Sequence, residues 1–261
     1  MSDPSHMAEV PAALRELADA LAPDPVVLLG ASALRFHRPT RARNTLDVDV
    51  AVGAEAHVSR LPAGWTRSAA PHRWVSTDGL PIDLVPATDD DLRRGHVEWP
   101  DGSRMSLVGV DLVLRDAIRY SPSGPDNLLV ASLLGIFVCK VVAFGERPGD
   151  RIKDLGDLAL MLESYVEIDD PRFCDDAAFD GDATDDITFE DRAAFLLGVD
   201  LRHRCADHHR RAVESFIADV SRPDSRERGL LLREATRVGA WSEALLESRF
   251  RALHDGLSTR R

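Results

Sequence analysis

Cysteine is scarce in this chain of 261 residues: there are three, Cys139, Cys174 and Cys205, far apart and odd in number. That excludes a disulfide framework and offers no cysteine-based zinc site. A reducing cytoplasm is the expected compartment. Positive charge is also short. The 32 Lys and Arg face 44 Asp and Glu, for a formal net charge of −12. Such a balance disfavours broad binding to a polyanion but leaves room for a local basic patch. No charged-then-apolar leader opens the chain, and the first residues, MSDPSHM, read as a tail or expression remnant outside the fold. There is no internal repeat. An apolar run long enough to cross a membrane is missing too. The stretch from Leu128 to Phe144 comes closest, but a span needs about 20 residues and this one carries Lys140. It reads as a buried central helix, and no membrane partner is expected.

What is present is organised around residues 26–52, VVLLGASALRFHRPTRARNTLDVDVAV. Val26 to Leu29 form an apolar run that reads as a buried strand. Gly30 ends it, and a short helical pattern runs from Ala31 to about His37. A basic loop with Arg38, Arg41 and Arg43 follows, then a second strand in which Val48 and Val50 alternate with Asp47 and Asp49. Strand side chains point alternately to opposite faces, so both acids face away from the core, with Cα atoms about 6.5–7 Å apart. Carboxylates this close repel unless neutralised, and hard divalent cations prefer such oxygen ligands. In Leu80 to Val85 the acid Asp83 alternates with Ile82 and Leu84 in the same way. One such Asp is most simply a solvated strand residue. Three of them after a strand–Gly–helix unit suggest a shared metal site.

Gly30 followed by Asp47-x-Asp49 and a lone Asp83 on a later strand resembles the DNA polymerase β-like nucleotidyltransferase superfamily. Gly30, Ala33, Leu34, His37, Arg43, Thr45, Asp47 and Asp49 fall close to the G-G-x-A-L…H…R-x-T-x-D-I-D pattern of AbiEii-type nucleotidyltransferases, the toxin halves of type IV toxin–antitoxin and abortive-infection systems. Ala31 stands where that pattern has a second Gly, and the loop between His37 and Arg43 is about two residues long for it. Further on, Lys140…Ala143…Arg147…Lys153-Asp154-x-x-Asp157-Leu158 resembles the family's K-x-x-A…R…K-D-x-x-D-L run. The resemblance covers about Val26 to Leu162.

What it implies is an NTP-dependent, pyrophosphate-releasing transferase. Asp47, Asp49 and Asp83 would hold Mg²⁺, as two ions, with Mn²⁺ as a substitute, and Asp83 would help deprotonate the attacking hydroxyl. Gly30, Ser32, Arg43, Thr45 and Lys140 would meet the nucleotide, and Asp154 or Asp157 would position Lys140, metal or acceptor. The implied acceptor is RNA, with a tRNA 3′ end first, in a toxin or defence role with a possible cognate antitoxin. Read from residues alone, Arg43 could equally pair with Asp47 or Asp49, and Lys140 could join a helix-surface salt-bridge network. An acceptor of the aminoglycoside or lincosamide kind, and a catalytically silent nucleotide- or partner-binding protein, are the other readings. The acidic surface suits cationic small acceptors.

The expected fold is α+β: a polymerase β-like core of mixed sheet and flanking helices over residues 8–120, then a helical C-terminal part over 121–261. The break is placed at Ser121 to Asn127, a turn-forming cluster. Helices are predicted over Val10–Leu21, Ala54–Leu61, Asp89–Gly95, Val110–Tyr120 and Asp150–Tyr165, with several more after about Glu190. Strands are predicted over Trp65–Ser68, Arg73–Thr77, Val97–Trp99 and Met105–Val108, with Asp78-Gly79 as a hairpin turn into the Asp83 strand. An acidic linker is expected at about 167–190. His203, Cys205, His208 and His209 lack a recognised zinc order and read, with Arg202, Arg204, Arg210 and Arg211, as a charged helix face.

Overall fold

The structure, a computed structural model, describes residues 10–38, 40–52, 60–174 and 187–258. Most of the helix expected at 54–61 lies outside the described residues, as do Asp175, Asp176, Asp180, Asp182, Asp185 and Asp186 of the acidic stretch. The chain divides into two compact units, Met1–Cys139 and Lys140–Arg261.

The first unit is built on a mixed sheet. Its strands are β1 (Val26–Leu28), β2 (Val48–Val52), β3 (Thr66–Arg67), β4 (Arg73–Val75), β5 (Pro81–Pro86), β8 (Ile118–Arg119) and β9 (Leu128–Val130), in the order β3-β4-β5-β2-β1-β9-β8. The pairs β2–β5 and β1–β9 are parallel, and the other neighbours are antiparallel. Between β5 and β8 the chain makes a separate hairpin, β6 (His96–Glu98) with β7 (Arg104–Ser106). The central strands are apolar because both faces are covered. All of β1 is buried, as are Val50, Ala51 and Val52 of β2. Helix α1 (Ala12–Leu21) closes one side by burying Leu14, Leu17, Ala18 and Leu21, the stripe its spacing predicts. Helix α2 (Gly30–His37) follows β1 directly. Helices α3 (Asp89–Arg94) and α4 (Val110–Arg115) complete the unit.

Two expectations are corrected here. The run from Leu128 to Phe144 is not one helix. Its first three residues form β9, inserted between β1 and β8, and α5 (Leu133–Glu146) starts only after Ser132. The Ser132 hydroxyl accepts from the Gly135 N–H at 3.2 Å, a helix-starting cap inside an otherwise apolar stretch. Likewise α4 ends at Arg115 rather than at Tyr120, because Ile118 and Arg119 pair with β9. The sheet-bearing unit therefore continues beyond Ser121 to Asn127.

The second unit is helical: α6 (Ile152–Ser164), α7 (Pro171–Cys174), α8 (Arg192–Arg204), α9 (Asp207–Ser221), α10 (Arg226–Val238) and α11 (Glu243–Ser258). Pro223 lies in the break between α9 and α10. The closest packing is α8 on α11. Gly198 and Gly256 face the opposing backbone there, and a Cβ on either would stand 2.2 Å from a carbonyl oxygen, that of Leu253 or Phe195. No helix among the described residues is long and apolar enough to cross a membrane.

Candidate active site

Gly30 is where the site begins. It follows β1 as the first residue of α2, and its φ of 61° lies in the left-handed region, which glycine enters without a Cβ penalty. Space demands the same residue. A Cβ there would stand 2.1 Å from Asp49 Oδ2. The Asp49 carboxylate thus lies directly over the Gly30 backbone, and the Leu29 N–H donates to the Asp49 carbonyl at 2.8 Å. Ala31, where the family pattern has its second glycine, is buried in the first turn of α2.

The sheet register assembles the acids. Asp49 on β2 is paired with Asp83 on β5, and Asp83 with Arg73 on β4. Registered partners project to one face, so two carboxylates and a guanidinium stand side by side across three strands. Asp47 lies just before β2, two residues from Asp49. It joins the group through the same guanidinium. Arg73 Nε donates to Asp83 Oδ1 at 2.7 Å, and Arg73 Nη2 donates to Asp83 Oδ2 at 2.7 Å and to Asp47 Oδ2 at 3.0 Å. The two bonds to Asp83 form a charge-assisted fork that raises the Arg73 pKa, with the charges of Asp47 and Asp49 adding to it. The His72 ring nitrogen Nε2 lies 3.9 Å from Asp83 Oδ2.

The loop residues act mainly on Asp47. The Thr45 hydroxyl donates to Asp47 Oδ1 at 2.6 Å, and this bond leads the lowering of the Asp47 pKa below its ordinary value. Burial works against that shift, and Arg73 and Arg43 assist it. Ser32 Oγ donates to the Asp47 carbonyl at 3.3 Å. Thr45 and Ser32, expected to meet the nucleotide, therefore fix Asp47 in this structure. Arg43 exerts its charge on Asp47. Arg35 binds Asn44 and Arg38 the His37 carbonyl, so part of the basic rim is engaged within the loop.

Arg73 was not singled out in the sequence. Its signal lay in the hairpin leading to Asp83. A two-residue Asp78-Gly79 loop would set Trp74 opposite Asp83. Instead Ser76 closes on Leu80, its N–H donating to the Leu80 carbonyl at 3.0 Å, and three residues, Thr77, Asp78 and Gly79, make the turn with Gly79 at φ 84°. A one-residue change of register moves every side chain to the other face. The longer loop is what sets Arg73 opposite Asp83.

The site suits a hard divalent cation by its donor set. Asp49 and Asp83 stand side by side in register, Asp47 and Asp83 share the Arg73 guanidinium, and Asp49 lies against a backbone stretch that a Cβ would block.

Lys140 and Asp154 belong to the second unit and form a cluster of their own. Lys140 Nζ donates to Asp154 Oδ1 and to Asp157 Oδ2, each at 2.7 Å, and all three residues are buried. Burial alone would disfavour the ammonium, but the two carboxylates outweigh it and the Lys140 pKa is raised. The three-residue spacing of the two acids puts both on the face of α6 that meets one amine.

A protein-family model described as "Nucleotidyl transferase AbiEii toxin, Type IV TA system" matches residues 12–229. No curated protein and no solved structure matches the chain.

Proposed function

Because the chain belongs to the AbiEii nucleotidyl transferase toxin family of type IV toxin–antitoxin systems, we propose that it transfers a nucleoside monophosphate from an NTP to RNA, with a tRNA 3′ end as the preferred acceptor. The observation that carries this reading is the registered row Asp49, Asp83 and Arg73, with Asp49 against Gly30 and Asp47 drawn in by the guanidinium. In the reaction an acceptor hydroxyl attacks the α-phosphorus, the α–β bridging P–O bond breaks, and pyrophosphate leaves. Mg²⁺ or Mn²⁺ held by Asp47, Asp49 and Asp83 would supply charge neutralisation for the triphosphate and the leaving group.

The chain's own residues do the rest. Gly30 lets backbone approach the triphosphate. Thr45 and Ser32 keep Asp47 in place. Arg43 adds positive charge at the rim. Asp83 is the proposed acceptor of the hydroxyl proton, at a carboxylate oxygen that Arg73 now holds. Lys140 enters as a phosphate-binding group whose ammonium Asp154 and Asp157 fix. Contact with phosphate would exchange one of these carboxylates for a phosphate oxygen. A cognate antitoxin is the expected protein partner, in a cytoplasmic setting.

The test is incubation with each labelled NTP, Mg²⁺ and a total-RNA pool. Label should move into tRNA with release of pyrophosphate, and Asp49→Ala should abolish transfer in a protein that still melts cooperatively. Label entering only a small cationic acceptor would replace RNA with that substrate class. Unchanged transfer by Asp49→Ala would reject the assigned site.

A further inference from the structure

We propose that Arg73 is an internal counter-cation that competes with the metal for Asp47 and Asp83, so that a divalent ion engages Asp83 only when the guanidinium withdraws. This rests on the metal site of the proposed function and adds a positioning residue to it.

The argument starts from charge. Asp47, Asp49 and Asp83 bring three negative charges together, and Arg73 supplies the opposite charge by bridging two of them. Asp83 is the most enclosed of the acids bridged, with a side chain 12% exposed against 39% for Asp47. Both Asp83 oxygens face the guanidinium. A cation approaching Asp83 must therefore take the ground that Arg73 holds, and two positive groups crowded there repel. The Arg73 side chain is 36% exposed, which gives it a route to solvent. Asp47 and Asp49 then receive a cation first, and Asp83 completes the set last. Lysine at position 73 could not reproduce this arrangement. One ammonium lacks the planar fork that grips both oxygens of one carboxylate while reaching a second.

The test is Mn²⁺ binding to the full chain by electron paramagnetic resonance, without nucleotide, for wild type, Arg73→Ala and Arg73→Lys, with folding checked by circular dichroism. The expected result is affinity at least about tenfold tighter in Arg73→Ala, the scale of one released charge-assisted contact, and an intermediate value in Arg73→Lys. Should the alanine variant not fold, the lysine variant alone must still bind Mn²⁺ tighter than wild type. Equal or weaker binding in the folded variants overturns the proposal while leaving the metal site standing. No Mn²⁺ binding by wild type or by either folded variant removes the metal site of the proposed function, and this inference with it.

Discussion

Adding one methyl group at Gly30 separates packing from charge placement. The Cβ of Gly30→Ala would lie 2.1 Å from Asp49 Oδ2, 3.0 Å from Cγ and 3.3 Å from Cβ. Two costs add. An L-residue held at φ 61° loses roughly 1–2 kcal/mol. Rotating the Asp49 side chain away from the new methyl costs about 0.5–1.5 kcal/mol if it leaves a favoured rotamer. The sum is about 1.5–3.5 kcal/mol. For a chain of this length each kcal/mol lowers the melting temperature by about 2–4 °C, so thermal denaturation should show a drop of about 3–14 °C. Mn²⁺ affinity should fall as well, because the displaced carboxylate is a proposed ligand. Gly145→Ala is the control. Gly145 lies in α5 with open space around its Cβ position and no positive φ, so alanine there should be neutral or stabilising. A Gly30→Ala protein that melts and binds Mn²⁺ like wild type would refute both the steric and the ligand arguments.

Lys140→Met should cost about 3–5 kcal/mol of stability, because it leaves Asp154 and Asp157 buried without their cation. Urea denaturation measures this, and a loss below about 1 kcal/mol would mean the amine is not the partner these acids depend on. His37 offers a pH test. Its Nε2–H donates to the Ala131 carbonyl at 2.8 Å, and burial leads the lowering of its pKa from 6.5. Below 6.5 the unfolded chain takes up a proton that the folded chain resists. Stability should therefore fall as pH drops from about 6.5 toward the folded-state value and level off beneath it. His37→Gln should flatten that part of the urea-midpoint profile, and a slope identical to wild type would sink the assignment.

The alternation of Asp49 and Asp83 with apolar neighbours was legible because strand side chains point to alternate faces and leave a two-residue period in the sequence. The buried Lys140 was legible as a residue in need of partners, and two carboxylates supply them. Other features left weaker marks. Leu128 to Val130 has no period of its own, since a central strand and a buried helix are both apolar throughout, and only Ser132 marks the boundary. Asp47 sits before β2 rather than within it, so its position depends on Thr45, Ser32 and Arg73 rather than on strand geometry. Arg73 escaped notice because its face depends on where the β4–β5 turn closes, and Asp-Gly suits a two-residue loop as readily as the three-residue one that forms.

The turn at Thr77, Asp78 and Gly79 makes the local chemistry depend on whether a count is odd or even. Closing it one residue tighter, with Thr77 rather than Ser76 opposite Leu80, would keep every side chain in the hairpin yet turn the arginine to the reverse side of the sheet and bring tryptophan to the acids. A family member could likewise gain or lose its resident positive group by a single-codon insertion or deletion between Arg73 and Ser76, with the acids themselves unaltered.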